Sequence, residues 1–123
     1  LFAARGCRVL GTDMSSDSQA ASGWAETQQH AAGKSAMRHP RLCDDAVFDA
    51  NVDFRTCDMN DVPSDLTDFD FCWSSCALEH LGSLEHGLRF IERSLDCLRP
   101  GGWAVHTTEY NFGSNDETVD HMG

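Results

Sequence analysis

Four short β-prone runs alternate with helical segments along this chain, and each run ends at a polar or charged side chain. The runs are Cys7–Thr12, Val52–Cys57, Phe69–Ser74 and Trp103–Glu109. A chain in which strands alternate with helices is typical of an α/β fold with a parallel, doubly wound sheet. We therefore predict a mostly parallel sheet with flanking helices, and the apolar third run suits a strand buried on both faces.

The helical segments are indicated by capping residues and by apolar periodicity. Ser15–Asp17 offers an N-cap for a helix to about Ala32, and Arg41–Asn51 favours a short helix. Ser83 would cap a third helix through about Leu98, which Pro100-Gly101-Gly102 stops. Apolar residues recur in this helix at intervals of three and four, and they predict one apolar stripe of Leu84, Leu88, Ile91, Leu95 and Leu98.

Composition narrows the choice of partners and compartment. The 20 acidic residues outnumber the 9 basic ones, and no basic stripe is present to neutralise a phosphate backbone, so nucleic acid is not expected as a partner. No run reaches the roughly 18 apolar residues of a membrane span, and no signal peptide opens the chain. The 6 cysteines form no CxxC pair, which argues against a zinc knuckle or disulfide framework and favours the cytoplasm.

Polar residues gather at the predicted carboxyl ends of the strands, which is where open parallel sheets bind ligands. Four consecutive strand ends with such residues indicate a ligand cleft. The residues concerned are Asp13 after the first strand, Asp58 after the second, Ser74, Ser75, Glu79 and His80 after the third, and Thr107, Thr108 and Glu109 at the fourth.

Two aspartates in this set are suited to accept hydrogen bonds from parts of a nucleoside. A carboxylate at a strand end can accept hydrogen bonds from both hydroxyls of a ribose, and Asp13 is placed to do so. Asp58 lies between Cys57 and Met59, where it could accept from an adenine amino group while Met59 packs on the ring. Either aspartate could instead serve its own loop, Asp13 by capping the next helix and Asp58 in a turn.

The sequences FDFCWSSCALEHL and LRPGGW, at residues 69–81 and 98–103, carry a resemblance to a known family. They resemble the fourth strand, the helix after it and the start of the fifth strand in class I S-adenosylmethionine-dependent methyltransferases. The resemblance implies a Rossmann-like fold and transfer of a methyl group from S-adenosylmethionine to an acceptor, which we expect to be a small molecule. It also implies donor-binding and catalytic positions: Asp13, Met14, Cys57, Asp58, Met59, Ser74 and Ser75 for the donor, and Glu79 and His80 near the acceptor.

The glycine-rich GxGxG loop of the family is absent from the chain. The resemblance therefore implies that residues 1–123 are part of a longer methyltransferase domain. The first strand and its loop would precede Leu1, the last strands would follow Gly123, and residues 114–123 would form a loop. Because the family's first strand lies at the centre of its sheet, we expect a gap or an unnatural pairing here, and poor donor binding by the isolated chain.

Several alternatives remain open at this stage. Ubiquinone-biosynthesis O-methyltransferases resemble this stretch but carry an additional acid for a divalent metal where Cys76 stands, so we expect no metal site. A nicotinamide-dependent oxidoreductase or epimerase would share the fold. Its short-chain members need a Tyr-x-x-x-Lys pair, which is missing here, because the residue four positions after Tyr110 is Ser114 and not a lysine. A non-catalytic or degenerate Rossmann-like binding domain is the third possibility. His106 is expected to be a core residue, and oligomeric state is not indicated.

Overall fold

A computed structural model of the chain describes residues 1–15, 17, 30–109, 111–114 and 116–117. The chain divides into two compact units, Leu1–Asp58 and Met59–Gly123. Each unit contains one pair of parallel strands with short helices beside it. The predicted α/β class with parallel strands is therefore confirmed. The helix predicted between Ser15 and Ala32 falls largely outside the described residues.

The strands of the first unit end side by side. Strand β1 (Val9–Asp13) pairs in parallel with β2 (Val52–Thr56), and Asp13 lies opposite Thr56. Before β1, a short 3-10 helix ends at Gly6, whose φ of 87° is the left-handed conformation typical of a helix C-cap. The residues that follow β1 and β2 consequently meet at one edge of this sheet.

Helix α1 (Asp45–Asn51) leads directly into β2 and supplies the core of the first unit. Asp44 caps it, because its carboxylate accepts hydrogen bonds from the backbone N–H groups of Ala46 at 2.9 Å and Val47 at 3.4 Å. The buried face of α1 carries Phe48, which packs in a small apolar core with Ala3, Cys43 and Val52. This core fixes α1 against the start of β2.

The second unit has a strand, helix, strand order. Strand β3 (Phe69–Ser75) is followed by a 3-10 helix (Leu78–His80), helix α2 (Leu84–Asp96) and strand β4 (Leu98–Thr107). The parallel ladder of β3 and β4 ends with Ser75 opposite Thr107. The predicted N-cap of α2 is confirmed, because the Ser83 hydroxyl accepts from the backbone N–H of His86 at 3.2 Å.

Strand β4 begins earlier than the sequence predicted. We expected Pro100-Gly101-Gly102 to stop the helix and the strand to begin near Trp103, but these residues lie within β4. Gly101 has a φ of 84°, and a Cβ on Gly102 would lie 3.1 Å from the carbonyl oxygen of Phe69 on β3. The glycines therefore allow β4 to bend and to pass close to β3, and α2 ends two residues early.

The predicted apolar stripe of α2 is not its buried face. Three leucines of that stripe are more than half exposed: Leu84, Leu88 and Leu95. The buried face consists of Gly87, Phe90 and Ser94. Gly87 is needed there because a Cβ at this position would lie 3.3 Å from the carbonyl oxygen of Leu78. Close approach of α2 to the 3-10 helix therefore decides which side of α2 is buried.

The prediction that β3 is buried on both faces is wrong for the described structure, because Cys72 and Ser74, on the face toward α2, are only half-buried, and the other face is more exposed. Alternate residues of β3 and β4, including Ser74 and His106, face α2. On the opposite face Trp73 is 57% and Trp103 is 74% exposed. Parallel sheets are normally covered on both faces, so this aromatic face lacks the cover that the sequence pattern implied.

The two strand pairs are separate sheets within the described part of the chain, because no ladder joins β1–β2 to β3–β4. The gap expected at the centre of a family-like sheet stays a prediction. None of the helices described here has the length and apolar character needed to cross a membrane.

Candidate functional site

The Asp13 carboxylate is held rigidly at the end of β1 by backbone groups. Its Oδ1 accepts from the N–H of Met14 at 2.8 Å, and its Oδ2 accepts from the N–H of Ala31 at 2.8 Å. Each oxygen has one further lone pair, so both can still accept another hydrogen bond. The side chain is about a quarter exposed, at 26%. Asp13 therefore both organises its loop and presents a bidentate acceptor.

His30 supports this aspartate, a role that no sequence pattern indicated. Its side chain is only 2% exposed, and its Nε2 lies 3.9 Å from Asp13 Oδ1. The same nitrogen is 3.0 Å from the carbonyl oxygen of Met14. Because a carbonyl can only accept, the Nε2 donates that hydrogen bond and carries the proton. The imidazole thereby fixes the backbone that follows Asp13.

The end of β2 lies directly beside Asp13. The backbone N–H of Cys57 donates to the carbonyl oxygen of Asp13 at 2.8 Å. The Cys57 side chain is buried, and its thiol lies 3.6 Å from the carbonyl oxygen of Asp58. Asp58 itself is exposed and Met59 is half-buried. The structure thus brings Asp13, Cys57 and Asp58 together at one sheet edge.

The turn that ends β3 is held by hydroxyl and backbone contacts to β4. The backbone N–H of Cys76 donates to the Thr107 carbonyl oxygen at 3.0 Å and to Thr107 Oγ1 at 3.2 Å. The Thr107 hydroxyl in turn donates to Ser75 Oγ at 3.3 Å. Cys76 has a φ of 46°, which is unusual for a residue other than glycine and often marks a functional turn.

The other face of this turn is tied to α2 through a histidine. Ser74 Oγ lies 2.8 Å from His106 Nδ1, and His106 Nε2 lies 3.0 Å from Ser94 Oγ. The ring edge of His106 also meets Phe90, with ring centroids 5.4 Å apart. The Ser74 side chain consequently faces α2, and the Ser75 side chain lies on the opposite face of the sheet.

Glu79 lies on the 3-10 helix after this turn, and its two carboxylate oxygens differ in their hydrogen bonding. Its Oε2 accepts from the Thr108 hydroxyl at 3.1 Å. Its Oε1 is buried and has no hydrogen-bond partner in the described part of the chain. Such a buried oxygen without a donor is costly, and it calls for an explanation. His80, the next residue, is exposed.

Two cysteines of the second unit, Cys72 and Cys97, are unreactive in character. Burial raises the pKa of the Cys72 and Cys97 thiols above their ordinary values, so both stay protonated at neutral pH. All six cysteines are free. Within the described residues, no three histidine, cysteine or acidic side chains are grouped closely enough to hold a metal ion.

The His106 contacts predict an acid-sensitive fold. Burial lowers the pKa of His106 below its ordinary value of about 6.5. The unfolded chain therefore binds the proton more readily, and stability should fall as the pH drops below about 6.5, by at most about 1.4 kcal/mol per pH unit for one proton. Urea unfolding followed by tryptophan fluorescence between about pH 7.5 and about pH 5.5 checks this. The unchanged chain should lose more stability than a His106→Asn variant, and equal losses would contradict the assignment to His106.

The predicted site residues thus fall into two groups, one in each unit. Asp13, Met14, Cys57 and Asp58 lie at the end of the β1–β2 sheet, and Ser74, Ser75, Glu79 and His80 lie at the end of the β3–β4 sheet. His30 and Ser94 were missed by sequence reasoning. Ser94 lies on a helix face that polarity would assign to solvent, yet it is 1% exposed.

Comparison with known proteins gives one finding. A family model described as a methyltransferase domain matches residues 1–106. This range contains both sheets apart from the last residue of β4, together with all the strand-end residues of the two groups. No match is found among curated proteins or among solved structures.

Proposed function

Because the chain belongs to the methyltransferase domain family, we propose that it transfers a methyl group from S-adenosylmethionine to a small-molecule acceptor. The observation that carries the proposal is the Asp13 carboxylate, which backbone N–H groups orient at a strand end with a lone pair left on each oxygen. Such a group fits the two hydroxyls of the donor's ribose.

The end of β2 fits the other part of the nucleoside. The Cys57 N–H donates its hydrogen bond to the Asp13 carbonyl oxygen and not to a ligand. This bond sets the distance between the ends of β1 and β2. The exposed Asp58 carboxylate would accept from the adenine amino group, with half-buried Met59 against the ring. Met14 follows Asp13 and is half-buried, which suits an apolar contact beside the ribose.

Ser74 and Ser75, at the turn that ends β3 in the second unit, are further residues that we propose for donor binding. The Ser74 side chain bonds to His106, so Ser74 would contribute backbone groups to the donor. Ser75 lies on the other face, where its hydroxyl accepts from Thr107 and can still donate its own hydrogen. The left-handed conformation of Cys76 ends the strand at this point.

Glu79 and His80 are the residues we place near the acceptor. The buried Glu79 Oε1 has no donor among the residues that the structure describes, and an N–H or O–H group of the acceptor would satisfy it. The bound sulfonium donor supplies an already activated methyl group, so alignment contributes most of the acceleration. For a hydroxyl acceptor, Glu79 Oε1 or the His80 imidazole would take the proton as general base.

We further propose that a glycine-rich strand and loop outside residues 1–123 complete the donor site within a longer polypeptide. Two observations support this. The chain contains no GxGxG, and the strands of the described residues form two pairs, each with unpaired edges. The free thiols of all six cysteines favour a reducing compartment such as the cytoplasm.

Methyl transfer can be tested without knowing the acceptor. The complete natural polypeptide carrying this sequence would be incubated with methyl-labelled S-adenosylmethionine and a cell extract split into small-molecule and macromolecular fractions. We expect S-adenosylhomocysteine to form when the small-molecule fraction is added as the source of acceptor. A Glu79→Gln variant should form it at least about 10-fold more slowly. Glu85→Gln is the matched control, because Glu85 is exposed on α2 and pairs only with Arg89.

Two results would contradict the proposal. Label that enters only protein or nucleic acid would exclude a small-molecule acceptor. An absence of S-adenosylhomocysteine with every fraction, despite a folded protein, would favour the non-catalytic binding domain.

A further inference from the structure

His106 on β4 is linked by hydrogen bonds to Ser74 on β3 and to Ser94 on α2, and the donor and acceptor of each bond can be assigned. Ser94 on α2 donates its hydroxyl hydrogen to the carbonyl oxygen of Ile91 at 2.7 Å. A serine hydroxyl has one hydrogen. The Ser94 oxygen must therefore accept at its 3.0 Å contact with His106, so that Nε2 of His106 carries a proton.

The same assignment settles the bond to Ser74. A neutral imidazole that is protonated on Nε2 has a lone pair on Nδ1. The Ser74 hydroxyl therefore donates to His106 Nδ1 across 2.8 Å. Burial lowers the pKa of His106 and so favours this neutral form at pH 7. The three hydrogen bonds run in one direction, from Ser74 through His106 and Ser94 to the backbone of α2.

The surroundings hold the ring in one orientation. The ring edge of His106 packs against Phe90 at an interplanar angle of 72°. Two titratable groups on this side are Cys72 of β3 and Cys97 after α2, and burial raises the pKa of both thiols, so they add no charge at neutral pH. Two hydrogen bonds and one aromatic contact therefore determine the position of the imidazole.

The His106 ring is hydrogen-bonded to Ser74, which is the first residue of the strained turn Ser74–Cys76. Ser74 is followed by Ser75 and then by Cys76, whose φ of 46° is unfavourable for a side-chain-bearing residue. Thr107 bonds the turn on one face of the sheet, and His106 bonds it on the other. A backbone conformation of this kind persists only when its surroundings determine it.

We propose that His106 is a positioning residue for the turn Ser74–Cys76: its Nδ1 fixes the Ser74 side chain and thereby the backbone that meets the donor. The inference rests on the proposed function, because the turn matters for activity only if it contacts S-adenosylmethionine. A role limited to stability would leave donor affinity unchanged when the Ser74 bond is lost.

Two variants separate the two nitrogens of the ring. In His106→Asn the amide lies near the place of Nδ1, so its oxygen can still accept from Ser74. In His106→Gln the amide reaches the place of Nε2, so it can still donate to Ser94 but not hold Ser74. Binding of S-adenosylhomocysteine to the complete natural polypeptide should stay within about threefold for the Asn variant and weaken about 10-fold for the Gln variant, as expected for one lost hydrogen bond. His39→Gln, at an exposed position, is the control.

Calorimetry would give the affinities, urea unfolding the stabilities, and nitrogen NMR of the imidazole the tautomer. A Gln variant that is destabilised but binds like the unchanged protein would overturn the positioning role while leaving the proposed function intact. An Nδ1–H tautomer would overturn the assigned direction of the bonds, whatever the donor affinity. A complete protein that does not bind S-adenosylhomocysteine at all would remove the proposed function, and this inference with it.

Discussion

Replacing Asp13 with alanine is expected to weaken binding of S-adenosylhomocysteine to the complete natural polypeptide by at least about 100-fold. Hydrogen bonds to a charged group contribute about 1.5–3 kcal/mol each, and a ribose would lose two of them. The variant also loses the two backbone hydrogen bonds that Asp13 accepts from Met14 and Ala31. Part of the effect could therefore come from a loosened loop, and the measurement has to separate the two causes.

Ligands with and without a ribose make that separation. Titration by NMR would compare 5′-methylthioadenosine with free adenine, which has no hydroxyls for Asp13 to bind. The Asp13→Ala variant should lose most of its affinity for the nucleoside and little of its affinity for adenine. Equal losses for both ligands would show that Asp13 acts only on the loop. Asp17→Ala is the matched control, because Asp17 is an exposed aspartate in the same loop.

The sequence predicted those features of the fold that depend on local chemistry. A cap such as Ser83 acts within one turn of the helix, and the structure confirms it. Strand ends are local too, so the polar residues after β1 and β3 were identified from their position in the pattern. The parallel pairing followed from the alternation of strands and helices.

Contacts that depend on strand register or on close packing could not be predicted. Ser74 and His106 are 32 residues apart, and their contact requires the particular alignment of β3 with β4. His30 is likewise brought to Asp13 by the path of the chain and not by any periodic pattern. Neither contact can be predicted from a periodic pattern in the sequence.

The buried face of α2 shows a different limit of pattern analysis. Periodicity assigns the core to leucines, but the buried residues of α2 are Gly87, Phe90 and Ser94. Gly87 is selected by the space available beside Leu78, and Ser94 by its hydrogen bonds to Ile91 and His106. Both reasons become visible only when the partner element is in place.

Donor binding should depend on a glycine-rich segment that residues 1–123 do not contain. Such a loop lets backbone N–H groups approach the donor, and its strand would occupy unpaired sheet edges that the two pairs leave open. We expect the complete natural polypeptide to bind S-adenosylhomocysteine at least about 100-fold more tightly than the 123-residue chain, a difference of about 2.7 kcal/mol. The isolated chain should also associate more readily, because edges of this kind pair with other molecules.

The most direct measurement is calorimetric titration of S-adenosylhomocysteine into the complete polypeptide and into the 123-residue chain, with NAD⁺ titrated in parallel. We expect micromolar binding of S-adenosylhomocysteine by the complete polypeptide, little or none by the 123-residue chain, and no binding of NAD⁺ by either. Micromolar binding by the 123-residue chain would contradict the claim that its donor site is incomplete. Binding of NAD⁺ in place of S-adenosylhomocysteine would contradict the methyl-transfer function itself.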